Sequence, residues 1–134
     1  MNDKIVIDGK NAILGRLASY TAKQLLLGKE VRVVNCDEVV VSGNHSSIVR
    51  EYSEARKKGG ASLQGPHFPR EPEKIVKRTI RGMLPYKQGR GETGFKMVKC
   101  YNGVPSELEK VKKIVSGKEK KIKTIKLKDL GDHI

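Results

Sequence analysis

Aromatic residues are scarce in this chain: 134 residues hold no tryptophan, two phenylalanines and four tyrosines. That argues against a basic helix lying on a membrane surface, which carries Trp, Phe or Leu opposite its charge. There are only two cysteines, Cys36 and Cys100, with no Cys-x-x-Cys and no histidine pair nearby, so neither a zinc site nor a disulfide framework is indicated. Both read as small buried hydrophobes in a protein of the reducing cytoplasm. No apolar stretch approaches the roughly eighteen residues of a membrane span. The N-terminus places Asp3 and Asp8 where a secretory signal would be basic, so no leader or membrane contact is expected.

Acid is the other shortage. The chain has 15 Asp plus Glu against 28 Lys plus Arg, a formal net charge of +13. The excess is uneven. Residues 1–50 have 7 cations and 5 acids, residues 51–100 have 12 and 5, and residues 101–134 have 9 and 5. A folded half close to neutrality that supports a concentrated basic surface suits a polyanionic partner, because charge gathered in one place repels itself unless something neutralises it. Nucleic acid is that partner. The length suits one domain over 1–134. Within it we expect a βαβ-type half over 1–58, basic loops and a helix facing the nucleic acid over 59–104, and a C-terminal helix with a Lys-rich extension over 105–134.

Along the chain, Lys4 to Asp8 reads as a buried strand ending at Gly9. Asn11 offers an N-cap, and Leu14, Leu17, Ala18, Thr21, Ala22 and Leu25 recur at helical spacing up to Gly28, so the expected helix runs from Ala12 to Leu27. Val31 to Asn35 and Val39 to Ser42 follow as β-branched strands. A strand, helix and strand in about thirty residues imply a right-handed crossover and parallel pairing. A second helix is expected over Ser46 to Lys58, stopped by Gly59-Gly60, and a long loop over Gly59 to Pro72.

Pro72 then opens a helix over Glu73 to Leu84. Its Lys74, Lys77, Arg78 and Arg81 recur at i, i+3, i+4 and i+7, opposite Val76, Ile80 and Met83. A solvated face normally mixes signs for i to i+4 pairing, and no acid interrupts these four. Pro85 to Gly94 reads as a Gly-rich turn that presents Tyr86 for stacking and Lys87 and Arg90 for phosphate. Met97 to Tyr101 is an expected strand and Asn102-Gly103 a turn. Ser106 and Glu109 have capping-box spacing at the start of a further helix. The Lys-rich stretch from Ser116 to Lys128 fits either an edge strand or an extension ordered on binding.

Sites for other chemistries fail on spacing. Gly9 to Arg16 has five residues between its glycines and no Ser or Thr after Arg16, so it is no Walker loop, and it lacks a third glycine for a dinucleotide turn. His45, His67 and His133 have no nucleophile in a recognisable context. His45 and His67 stand beside basic loops, where donation to phosphate suits them. No catalytic residue, cofactor, metal or small-molecule substrate is expected.

Three segments resemble a known family. Residues 7–44 contain IDGKNAILGRLAS and KQLLLGKEVRVVNCDEVVVSGN, the middle contains LQGPHFPREP, and Val76 to Gly91 reads VKRTIRGMLPYKQGRG, with YNGVP at Tyr101 to Pro105. Together they resemble the universal large-subunit ribosomal protein of the L-thirteen family in its archaeal and eukaryotic form, over most of the chain to about residue 115. The resemblance implies a three-layer α/β/α fold around a four-stranded parallel sheet. It implies a structural component of the cytoplasmic large ribosomal subunit that binds rRNA beside neighbouring ribosomal proteins during assembly. The family's basic positions correspond to Lys10, Arg16, His67, Arg70, Arg78, Arg81, Lys87 and Arg90, and the resemblance adds weight to the turn Ser42-Gly43-Asn44. With the cations Lys57 and Lys58, the residues Asn44, His45, Lys74, Lys77 and Tyr86 complete the candidate RNA-binding set. Two rival functions are an extra-ribosomal RNA-binding regulator of translation and a nucleotide-dependent enzyme built on the βαβ unit.

Overall fold

The computed structural model describes residues 4–57, 71–85, 89–115 and 124–133. Four strands form a parallel sheet in the order β4-β2-β1-β5: β1 (Lys4–Asp8), β2 (Glu30–Val34), β4 (Val98–Cys100) and β5 (Ile114–Val115). Ile7 pairs with Val33 on one side and Ile114 on the other, and Val33 in turn pairs with Cys100. The alternation of the strands divides the hydrophobic residues between two faces. Ile7, Val31 and Val33 pack in the main core with Leu14, Leu17, Leu25, Ile75, Val76 and Ile80. Val6 and Val34 point the other way, against Leu108, Tyr101 and Val104.

This division reflects the path of the chain. From β1 to β2 to β4 the chain moves in one direction across the sheet, and helix α1 (Leu14–Leu26) and helix α3 (Pro72–Gly82) cover the front. From β4 to β5 it returns past β1 to the opposite edge, and the 3-10 turn Ser106–Leu108 covers the back. Three layers result because crossovers of one hand that travel in opposite directions must lie on opposite faces. The expected α/β class and four-stranded parallel sheet are therefore present.

Several elements differ from expectation. Helix α1 starts at Leu14, two residues late, and Asn11 does not cap it: Asn11 has φ 60° and its N–H donates to the Glu38 carbonyl at 3.1 Å. Ile13 bridges Val40 before the helix begins. Strand β3 (Val40–Ser42) stands outside the main sheet. It pairs antiparallel with β6 (Thr124–Lys126), which resolves the Lys-rich end in favour of an edge strand over these residues. Helix α5 (Leu127–His133) follows and buries Leu127 and Leu130 completely, a helix that no sequence signal announced. The capping box at Ser106 caps nothing, since only one 3-10 turn forms before the chain must extend into β5. Helix α2 (His45–Lys57) matches its expected span closely.

Two further differences affect the basic segments. The Gly-rich stretch does not form a turn over 89–94; it forms helix α4 (Gly89–Phe95). A Cβ at Gly94 would sit 3.5 Å from the Leu25 Cβ, an ordinary contact distance, so α4 packs against α1 at this buried residue. On α3, Met83 is 44% exposed and lies past the helix end, while Leu84 is buried in its place. The loop expected over 59–72 lies outside the described residues as far as residue 70, as do residues 116–123.

Candidate nucleic-acid interface

Helix α3 builds the first basic surface. Pro72 occupies its first turn, where a missing N–H costs nothing, and Glu73 favours the positive end of the helix dipole. Glu73 also accepts a hydrogen bond from Asn102 Nδ2, which ties the start of α3 to the turn after β4. Ile75, Val76 and Ile80 are buried in the core, and that fixes the rotation of the helix. Lys74 and Arg81 are consequently exposed, while Lys77 and Arg78 are half-buried. The stripe is less free than its spacing suggests. Lys77 Nζ stands 5.2 Å above the Phe95 ring of α4, a cation–π contact, and Arg78 and Arg81 are also engaged within the chain. Arg90, in the first turn of α4, is exposed. The stripe and Arg90 thus belong to two consecutive helices joined by that aromatic contact.

The second surface lies at the other edge of the sheet. Lys10 follows β1, where its N–H donates to Asp8 Oδ1 at 3.0 Å in a tight turn that leaves the side chain exposed. Arg16 is exposed in the first turn of α1, above β5. Gly9, between β1 and Lys10, leaves no room for a phosphate: a Cβ there would lie 2.8 Å from Val39 Cγ2 and 3.0 Å from the Val34 carbonyl oxygen. That close packing removes the physical basis for a nucleotide loop.

The remaining candidates fall elsewhere. Asn44 precedes α2 and acts as its cap, its Oδ1 accepting from the Ser46 N–H at 2.9 Å and its carbonyl from the Ile48 N–H at 3.0 Å. A capping duty explains Asn44 without any ligand. His45 and Lys57 are the two ends of α2. Lys58, His67, Arg70, Tyr86 and Lys87 lie outside the described residues. Sequence reasoning passed over Tyr20, four residues after Arg16 on α1 and 39% exposed; the signal available was an aromatic residue placed on the polar side of an otherwise regular helix.

Not every cation is available to a ligand. Arg32 donates from Nη1 to the carbonyls of Met97 at 3.1 Å and Val31 at 3.2 Å, and Lys96 pairs with Glu92 at 3.9 Å. The two thiols, 64 positions apart in sequence, meet at the end of β2 and β4. Hydrogen bonding with Cys100 and burial push the Cys36 thiol well above its usual value, so it stays protonated. Cys36 is buried as expected, but Cys100 is only half-buried. Among the described residues, no group of three His, Cys, Asp or Glu could hold a metal ion, and no helix is long and apolar enough to cross a membrane.

The family described as Ribosomal protein L13 matches residues 2–107. Large ribosomal subunit protein uL13 of Methanocaldococcus jannaschii is 46% identical over 132 residues, which cover 96% of each chain. The protein of the same name from Methanosarcina barkeri is 50% identical over 105 residues, 78% of this chain and 74% of the relative. That of Caenorhabditis elegans is 45% identical over 115 residues, 84% of this chain and 57% of the relative. The chain belongs to the ribosomal protein L13 family.

Proposed function

We propose that this member of the family is a non-enzymatic structural component of the cytoplasmic large ribosomal subunit that holds folded rRNA by charge and shape. The relatives carry the name of a large-subunit protein, and that supports the place of action. The observation that carries the RNA-binding reading is the side of α3 opposite Ile75, Val76 and Ile80, where Lys74, Lys77, Arg78 and Arg81 follow one another without an acid. Lys and Arg neutralise phosphates and release condensed counterions, and the guanidinium forks of Arg hold phosphate oxygens in pairs.

The core fixes α3 before any RNA arrives, so the stripe is presented at little ordering cost. Lys10, Arg16 and Arg90 extend the contact to other parts of the surface, and Lys57, Lys58, His45, His67, Arg70, Tyr86 and Lys87 are further proposed contacts from the 1–58 and 59–104 regions. The binding favours the backbone and grooves of folded RNA over any linear base sequence. During assembly the protein would hold such a fold once formed.

Sucrose-gradient sedimentation of cell extract tests the reading. The expected result is that the protein travels with large subunits and is released by high salt. A protein confined to the top of the gradient at low salt would overturn the proposal and favour an extra-ribosomal regulator.

A further inference from the structure

We propose that the crevice between α1 and β5 receives one unpaired nucleotide of the bound RNA, its base stacked on Tyr20 and its phosphate held by Arg16. The inference deepens the proposed rRNA binding and rests on it. A groove of about 300 Å³ opens between these elements, lined by Arg16, Leu17, Tyr20, Ile114 and Val115. That volume stands at the lower end of the range for small-ligand sites. Its position follows from the topology. The chain moves from β1 through β2 to β4 in one direction and then returns to place β5 on the other side of β1, so the strand order reverses between β1 and β5. In open α/β sheets the crevice at the carboxyl ends of the strands, where the order reverses, is where ligands bind. The β5 pairing lies at that end of β1, with Ile114 opposite Ile7 and Val115 opposite Asp8.

The chemistry of the lining selects the occupant. Arg16 and Tyr20 are one helical turn apart on α1 and therefore project side by side. Tyr20 and Ile114 are each 39% exposed and Val115 is 74% exposed, while Leu17 is buried beneath them. An aromatic ring beside an aliphatic floor offers a planar base a stacking platform, and one cation beside it matches one phosphate. Among the described residues the lining holds no acid, so it does not suit the Lys- and Arg-rich segments common in partners of RNA. A free nucleotide is a poor occupant, because the described lining offers a lone phosphate one arginine and no glycine nest, too few donors. A base already tethered to bound RNA requires only the stacking.

The test uses the full-length protein and large-subunit rRNA stripped of protein. After ultraviolet irradiation of the wild-type complex, nuclease digests the RNA to mononucleotides and trypsin, cleaving at Arg16 and Lys23, releases Leu17 to Lys23, and we expect a mononucleotide adduct on Tyr20 in that peptide. Tyr20→Ala should weaken binding about tenfold with an unchanged salt slope, because a stack releases no counterions. Tyr20→Phe keeps the ring and should bind within about twofold of wild type. Arg16→Ala should lower the slope by about one unit or slightly less. Wild-type binding together with an unadducted peptide and an indifferent Tyr20→Ala variant would overturn the nucleotide site alone. A wild-type protein that does not bind this RNA at all would overturn both the site and the function on which it rests.

Discussion

The two basic surfaces differ in what each can recognise. The α3 stripe and Arg90 supply charge in number, and the contact of Lys77 with the Phe95 ring is made inside the protein. The α1–β5 crevice supplies one arginine, one tyrosine and an aliphatic floor. Charge in number gives affinity that falls steeply with salt and is indifferent to sequence; a stack gives a smaller contribution that salt barely touches. The difference teaches that net charge is a poor map of function. Residues 1–50 are nearly neutral, yet Arg16 and Tyr20 of the proposed crevice lie among them.

The largest expected effect separates packing from binding within α3. Ile80→Ala removes a fully buried side chain and should cost about 2 to 5 kcal/mol in urea unfolding while leaving the cation stripe intact. Joint replacement of Lys74, Arg81 and Arg90 by alanine should do the reverse: rRNA affinity at low salt falls about a hundredfold and the salt slope drops by about two to three units. Thermal stability of that variant should change little more than surface substitutions usually allow, about 0.5 kcal/mol per site. A triple variant with wild-type slope would erase the distinction between stripe and crevice.

Two glycines sharpen the reading of the α1 start. Gly9→Ala forces a Cβ to within 2.8 Å of Val39 Cγ2 and should cost about 1 to 3 kcal/mol. Gly15 meets nothing within 4 Å and lies in the helix, so Gly15→Ala should gain about 0.5 to 1 kcal/mol. Equal effects at the two positions in thermal unfolding would contradict the packing role of Gly9. The smallest effect is a pH dependence. The folded state keeps Cys36 protonated, whereas the unfolded thiol ionises near its ordinary value of 9.0. The unfolded chain therefore binds fewer protons above that pH, and the stabilisation present below pH 9 is lost as pH rises. Cys36→Ala should flatten the alkaline limb of a stability profile; an unchanged limb would contradict this origin.

Much of the fold was legible because its signals were local. The repeat of Leu14, Leu17, Ala18 and Leu25 marks one buried side of α1, and Pro72 marks the start of α3. The failures are tertiary. Asn11 has the right residue type for a cap, but its backbone is used to reach Glu38. Glycines at 89, 91 and 94 read as a turn by propensity, yet the stretch forms helix α4, in which Gly91 and Gly94 are buried and Gly94 packs against Leu25 of α1. Helix α5 escapes notice because Leu127 and Leu130 give too few apolar positions for a periodic pattern, and their burial is supplied by the rest of the core. At the interface, the stripe was legible as spacing on one helix. The crevice was not, since Tyr20 and Val115 are brought together only by the return of the chain to the β5 edge.

A density map of the intact large subunit tests the central claim most directly. The account predicts that the protein is bound with Lys74 and Arg81 against phosphates and a single extruded base over Tyr20. A map in which α3 faces solvent and the crevice is empty of RNA would contradict it.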